Sequence, residues 1–157
     1  MIDDRSCDIR DLPVISSGNQ LILMVGLPRS GKSSWANQQG IPIVDLDAIR
    51  LAKTGQRWWG PIEHEISATA RTMVRALFVA GHKTVILDSC NLLYEQREYF
   101  KCSPDIVWDR LAKIIDTPAS VCKDRAATTY PDLVPVIDWF DTNKQAIAES
   151  EQIKILA

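Results

Sequence analysis

The segment Gly26-Leu27-Pro28-Arg29-Ser30-Gly31-Lys32-Ser33 directly follows the apolar run Leu21-Ile22-Leu23-Met24-Val25. Its spacing is G-x-x-x-x-G-K-S, in which a glycine-rich turn between a strand and a helix aims backbone N–H groups at nucleotide phosphates. In that pattern Lys32 reaches the β/γ-phosphates and the Ser33 hydroxyl ligates Mg²⁺. The alternative, a flexible glycine turn, is disfavoured by the strand-like run before the loop and the helix-compatible Ser33–Gln39 after it. The expected nucleotide-binding set is Gly26, Leu27, Pro28, Arg29, Ser30, Gly31, Lys32, Ser33 and Ser34.

With 157 residues the chain has the size of one domain and buries enough surface for its own core. We read residues 1–20, which show no periodicity, as an N-terminal extension, and 21–157 as the domain. No apolar run approaches the ~18 residues of a membrane span. A net charge of −2 supplies no global positive field to gather long nucleic acids, which leaves room only for a local basic cleft. Cys7, Cys90, Cys102 and Cys122 form no C-x-x-C pair, so neither a disulfide framework nor a zinc site is expected. The acidic start lacks an apolar h-region, and a cytoplasmic location is the default expectation.

Strand and helix patterns alternate along the chain. Ile41–Asp47 reads as a second strand ending in carboxylates, Lys83–Asp88 as a third, Leu111–Asp116 as a fourth, and Gln152–Leu156 as a last. Helical patterns occupy Ala48–Lys53, a long stretch from Pro61 to Gly81, Tyr94–Lys101, a segment from Pro118, and 133–150. Short connections between alternating elements imply right-handed crossovers and an α/β fold with a doubly wound, mostly parallel sheet. Ligands of such sheets lie beyond the carboxyl ends of the strands, an edge that takes in the loop, Asp47, Asp88–Asn91 and Asp116.

Phosphoryl transfer needs cations and metal on the phosphate oxygens and a group that orients or deprotonates the attacking hydroxyl. Asp47-Ala48-Ile49-Arg50 offers a candidate base and, one turn later, a guanidinium for the acceptor. The plainer alternative makes Asp47 a helix cap and Arg50 a solvated residue. Asp45 is a weaker candidate for base or structural bond. Asp88, at the end of an apolar strand, is placed to hold Mg²⁺ with Ser33. Asn91 could position Asp88, meet substrate or cap the next helix. Arg125 is a candidate lid cation, with Lys123 beside it. Trp58 and Trp59 either stack on a base or pack the long helix on the sheet. Trp35, Trp108 and Trp139 read as core or half-buried, His64 as helix surface and His82 as loop.

Together the loop Gly26–Ser33, Asp47-x-x-Arg50, Val85-Ile86-Leu87-Asp88-Ser89-Cys90-Asn91-Leu92, and the Asp116-Thr117-Pro118 turn followed by Arg125 resemble the P-loop kinases of the polynucleotide 5′-hydroxyl kinase type. The resemblance implies an adenylate-kinase-like P-loop NTPase fold with sheet order 2-3-1-4-5, and ATP and Mg²⁺ as cofactors. It implies that Asp47 activates the accepting hydroxyl, that Arg50 contacts the acceptor's phosphate or sugar, and that Lys32 and Arg125 hold the donor phosphates. Ala126, Ala127, Thr128 and Thr129 stand where members of that type carry a second lid arginine. Asp45-x-Asp47-x-x-Arg50 is equally similar to adenylylsulfate kinases and zeta-toxin-type kinases. The acceptor is therefore either a 5′-hydroxyl nucleic acid end or a small hydroxyl compound such as a sugar, nucleoside or antibiotic.

A GTP switch would need N-K-x-D, but Asn143-Lys144-Gln145-Ala146 lacks the aspartate, and Asp88-Ser89-Cys90-Asn91 lacks the glycine of D-x-x-G. An ATP-binding module without catalysis is opposed by Asp47 and Arg125.

Overall fold

In the computed structural model, which describes residues 18–57 and 60–157, five strands alternate with six α-helices. They are β1 (Gln20–Val25), α1 (Lys32–Asn37), β2 (Ile43–Asp45), α2 (Leu46–Thr54), α3 (Glu63–Val79), β3 (Thr84–Asp88), α4 (Tyr94–Tyr99), β4 (Asp109–Ile114), α5 (Ala119–Thr129), α6 (Val134–Asn143) and β5 (Lys154–Ile155). The sheet order is β2-β3-β1-β4-β5, with parallel pairing throughout the described residues. This is the doubly wound α/β fold expected, in the order 2-3-1-4-5. Trp58, Trp59 and residues 1–17, including Cys7, lie outside the described residues.

β1 is central because it is apolar on both sides. Successive strand residues face opposite ways, so Leu21, Leu23 and Val25 enter the larger core while Ile22 and Met24 enter the smaller one. Burying each such side chain contributes about 1.5–3 kcal/mol. α3 brings Ile66, Ala70, Val74 and Phe78 onto the larger core at helical spacing. Phe78 in turn stacks at 5.5 Å on Trp108. Trp35 packs on the smaller core and Trp108 is buried, but Trp139 is exposed, edge-on to Phe140.

Several boundaries move for identifiable reasons. α2 starts at Leu46, because the Asp45 side chain accepts the N–H groups of Asp47 (2.9 Å) and Ala48 (3.4 Å) as its N-cap. Asp47 therefore sits in the first turn of a helix, not at the end of a strand. β4 begins at Asp109, whose N–H reaches Asn19 O at 2.8 Å, and ends before Asp116. α6 stops at Asn143, short of the expected 150, because the next residues are drawn across to the start of α4. There Gln145 N–H donates to Leu92 O at 2.8 Å, and the Gln145 side-chain oxygen accepts from Tyr94 N–H at 2.7 Å.

Cys90 and Cys122 are free thiols, whereas Cys102 is disulfide-bonded, although the spacing of the cysteines gave no reason to expect a disulfide. Spacing along the chain carries no information on which distant thiols a fold brings together. No helix among the described residues is long and apolar enough to cross a membrane.

A buried ion network ties the C-terminal segment to the sheet edge. Arg97 on α4 is fully buried and donates to both Glu151 carboxylate oxygens, at 2.7 and 3.1 Å, and to Asn91 O at 3.0 Å. Arg110 on β4 donates to Arg97 O at 2.8 Å and Glu151 O at 2.6 Å. Burial alone would raise the Glu151 pKa, but the hydrogen bonds from Arg97 and the Ala148 N–H, with the charges of Arg97 and Arg110, hold it below the ordinary 4.5. Removing one partner strands a buried charge, so Glu151→Gln should cost about 3 kcal/mol in urea unfolding at neutral pH. A carboxylate with a lowered folded pKa stabilises above its unfolded value and loses that contribution as pH falls through the folded one. The gap between wild type and Glu151→Gln should therefore be full at pH 7 and shrink below pH 4.5.

Candidate functional site

The loop leaving β1 is shaped by two glycines and one strained residue. A Cβ on Gly26 would lie 2.7 Å from Ile115 O and 2.8 Å from Ser30 Oγ, so only glycine fits between the loop and the strand end beside it. Gly31 takes φ 104, and Arg29 takes φ 65 without being glycine, a left-handed conformation that costs about 1–2 kcal/mol. Ser30 N–H donates to Leu27 O at 3.1 Å, and the Thr117 hydroxyl closes the far side by donating to Ser30 O at 2.7 Å. Lys32 is buried at the start of α1, with Nζ donating to Leu27 O at 2.7 Å. Its ammonium therefore lies inside the loop.

Across from α1, the Ser33 hydroxyl donates to Asp88 Oδ2 at 2.6 Å. The Asp88 carboxyl is raised above its ordinary value. Burial is the largest cause and Asp45 and Asp47 add to it, while the Ser33 hydrogen bond and Lys32 oppose it. Ser33 and Asp88 thus bring together two oxygen ligands of the kind Mg²⁺ takes. The described residues contain no group of three or more His, Cys, Asp or Glu able to hold a metal, so phosphate and water oxygens would complete any coordination here. Burial also pushes up the thiol of Cys90, which lines the same cleft.

Asn91 neither caps α4 nor reaches the cleft; Leu93 is the N-cap residue. Almost fully buried at φ 47, its amide donates to Met24 O at 2.8 Å, while Gly26 N–H donates to Cys90 O at 3.1 Å. The segment after β3 thereby braces the start of the loop. That function was hidden in sequence, where Asn91 reads equally well as a cap.

The opposite wall carries Asp47 and Arg50 on α2 and Glu63 at the start of α3. Arg50 Nη1 donates to Asp47 Oδ1 at 2.6 Å, and Nε and Nη2 form a two-pronged pair with Glu63 at 2.6 and 2.8 Å. Burial acts to lower the Arg50 pKa, but the hydrogen bond and charge of Glu63 and the charge of Asp47 outweigh it, so the guanidinium stays charged. Asp47 remains 69% exposed. Glu63 was missed in sequence because thirteen residues separate it from Arg50 and no motif spans them.

Arg125 on α5 donates through Nη1 to Arg29 O at 3.1 Å. Arg57 donates to both Asp132 oxygens at 3.1 Å and lies 3.6 Å from the centroid of the Tyr130 ring, which Arg29 approaches at 5.6 Å. Lys123 pairs outside the cleft with Asp138 at 2.9 Å, in keeping with a solvated lysine. His64 does line the cleft, edge-on to Tyr99 at 6.0 Å. The cleft encloses about 1030 Å³ and takes in Lys32, Ser33, Asp47, Arg50, Asp88 and Arg125, but not Asp116.

The family described as an AAA domain, AAA_33, matches residues 21–132. The chain belongs to this family of P-loop kinase domains. A search of curated proteins finds no match. Among solved structures, a chain of the Pnkp1/Rnl/Hen1 complex is similar at 26% identity and TM-score 0.59, over 68% of this chain and 38% of that one. A sugar kinase from Janibacter sp. HTCC2649 is similar at 20% identity and TM-score 0.61, over 88% of this chain and 84% of that one. A gluconokinase from Sinorhizobium meliloti 1021 is similar at 16% identity and TM-score 0.59, over 90% and 83%. The last two likenesses concern the fold.

Gly26→Ala in this P-loop domain should lower stability by about 1–3 kcal/mol through overpacking and weaken nucleotide binding, read by thermal unfolding with and without nucleotide. An alanine variant with unchanged unfolding and binding would contradict the tight fit at Gly26.

Proposed function

We propose that residues 21–157 form one kinase domain that moves the terminal phosphoryl group of ATP to a hydroxyl acceptor. The observation that carries the reading is a single cleft in which a phosphate loop with Ser33 hydrogen-bonded to Asp88 at 2.6 Å faces an exposed carboxylate, Asp47, held by Arg50 at 2.6 Å. A binding module would need the first half alone.

In this reading the acceptor oxygen attacks the γ-phosphorus in line with the departing ADP oxygen, and Asp47 takes the hydroxyl proton. Arg50, fixed by Glu63, orients Asp47 and the acceptor. Lys32 turns from Leu27 O to the donor phosphates, and Arg125 adds a second cation as negative charge moves toward ADP. Ser33 and Asp88 would hold Mg²⁺, which supplies charge neutralisation on the phosphates when bound.

A small hydroxyl compound suits the acceptor wall best. That wall carries Asp47 and Glu63 against Arg50, which both carboxylates already engage, and Arg57 is tied to Asp132. Repeated backbone phosphates would meet repulsion there. The coverage of 84% of a sugar kinase chain agrees with this choice. A 5′-hydroxyl polynucleotide is the second reading, favoured by the 26% identity to a chain of the Pnkp1/Rnl/Hen1 complex.

The test is transfer of labelled γ-phosphate from ATP to a panel of sugars, nucleosides and 5′-hydroxyl oligonucleotides, with Lys32→Ala as blank. Asp47→Asn should lower transfer to the acceptor by about 10²-fold or more while nucleotide binding persists. Transfer undiminished in Asp47→Asn would remove Asp47 from the chemistry, and no labelling above the blank would favour a binding module.

A further inference from the structure

Arg29 is the non-glycine residue of the phosphate loop that sits in the left-handed region, at φ 65. A glycine would hold that conformation without strain, so the side chain is kept against a local cost, and strain retained at a functional cleft points to a use for the group that causes it. Its guanidinium is exposed on the cleft, and no carboxylate pairs with it among the described residues. Its own carbonyl receives Nη1 of Arg125, another guanidinium without a carboxylate partner. Both guanidinium groups thus stand at the same turn of backbone, where an anion would answer the charge of each.

The ring of Tyr130 gives the guanidinium of Arg29 its place along the cleft. Arg57, from the segment after α2 on the acceptor side, lies 3.6 Å from its centroid, and Arg29, from the donor loop, lies 5.6 Å from it. A guanidinium directed at the ring shared with the acceptor wall stands at the junction of the two halves. In a phosphotransferase that junction is where the terminal phosphate passes from donor to acceptor.

We propose that Arg29 is a further catalytic residue, whose guanidinium contacts the terminal phosphate of the donor nucleotide together with Arg125, at the junction marked by Tyr130. The role differs from that of the loop backbone, which meets the inner phosphates, and it rests on the kinase reading above. Arg29 meets a charge that ATP has and ADP lacks.

The test compares binding of MgADP and of the Mg²⁺-bound imido analogue of ATP by calorimetry, in wild type, Arg29→Gly and Arg29→Lys, so that no acceptor is needed. Arg29→Gly keeps the backbone conformation and should fold with an unchanged or higher melting temperature. It should weaken the ATP analogue at least tenfold while changing MgADP less than threefold, and Arg29→Lys should recover part of the loss. An unchanged ratio of the two affinities in Arg29→Gly overturns the proposal and leaves the kinase reading standing. An unchanged ratio with a lowered melting temperature shows that Arg29 only stacks on Tyr130. Wild type binding neither nucleotide overturns both.

Discussion

The end of β1 is held from both sides, and the site depends on that hold. Ile115 N–H donates to Val25 O at 2.8 Å from one neighbour, while Cys90 O accepts Gly26 N–H at 3.1 Å and the Asn91 amide bonds Met24 O at 2.8 Å from the other. Parallel pairing sets every strand's carboxyl end at the same edge, so the turn that leaves β1 emerges between two other strand ends. The contact that forbids a Cβ on Gly26 comes from Ile115, the residue following β4. Loop, Asp88 and the Thr117 turn are therefore one hydrogen-bonded unit, and Arg97 extends it inward by donating to Asn91 O at 3.0 Å from a fully buried position. Bracing of this kind fixes the backbone of the loop, and with it the direction of its N–H groups.

The cleft divides its charge. Lys32, Arg29 and Arg125, which no carboxylate pairs with among the described residues, lie at the phosphate loop. Across the cleft the guanidinium of Arg50 is already met by Glu63 and Asp47. The same residue type thus serves two purposes: an unpaired arginine is an anion site in waiting, while an arginine held by two carboxylates is a fixed donor that orients them. Arg57 joins the halves, since its partners Asp132 and Tyr130 belong to the segment following α5.

Much of this was legible in the sequence where the signal is local. The loop motif carries its own geometry, and the unbroken apolar runs of β1 and β3 announce a sheet covered on both faces. Asp47 and Arg50 stood out as neighbouring candidates, but their pairing needed the earlier start of α2 at Leu46, which puts both on one helix a turn apart. The errors arose where distant chain segments compete with local pattern. Residues 144–148 leave the helical pattern because Gln145 bonds to Leu92 and Tyr94. Trp139, read as core or half-buried, is 52% exposed. Cys102 forms a disulfide that no sequence spacing announces.

The sequence by itself determined the phosphate loop and the alternation that yields a parallel α/β sheet, because each depends on residues within a turn or a strand of one another. Only the tertiary structure decided what those groups face. Ser33 meets Asp88 across fifty-five residues, Arg50 meets Glu63 across thirteen, and Arg125 meets Arg29 across ninety-six. Such encounters are set by strand order and helix packing, which bring unrelated positions to one edge, and no periodicity along the chain encodes them. The phosphate loop was readable as a motif, while its strained Arg29 became informative only once Tyr130 and Arg57 were seen beside it.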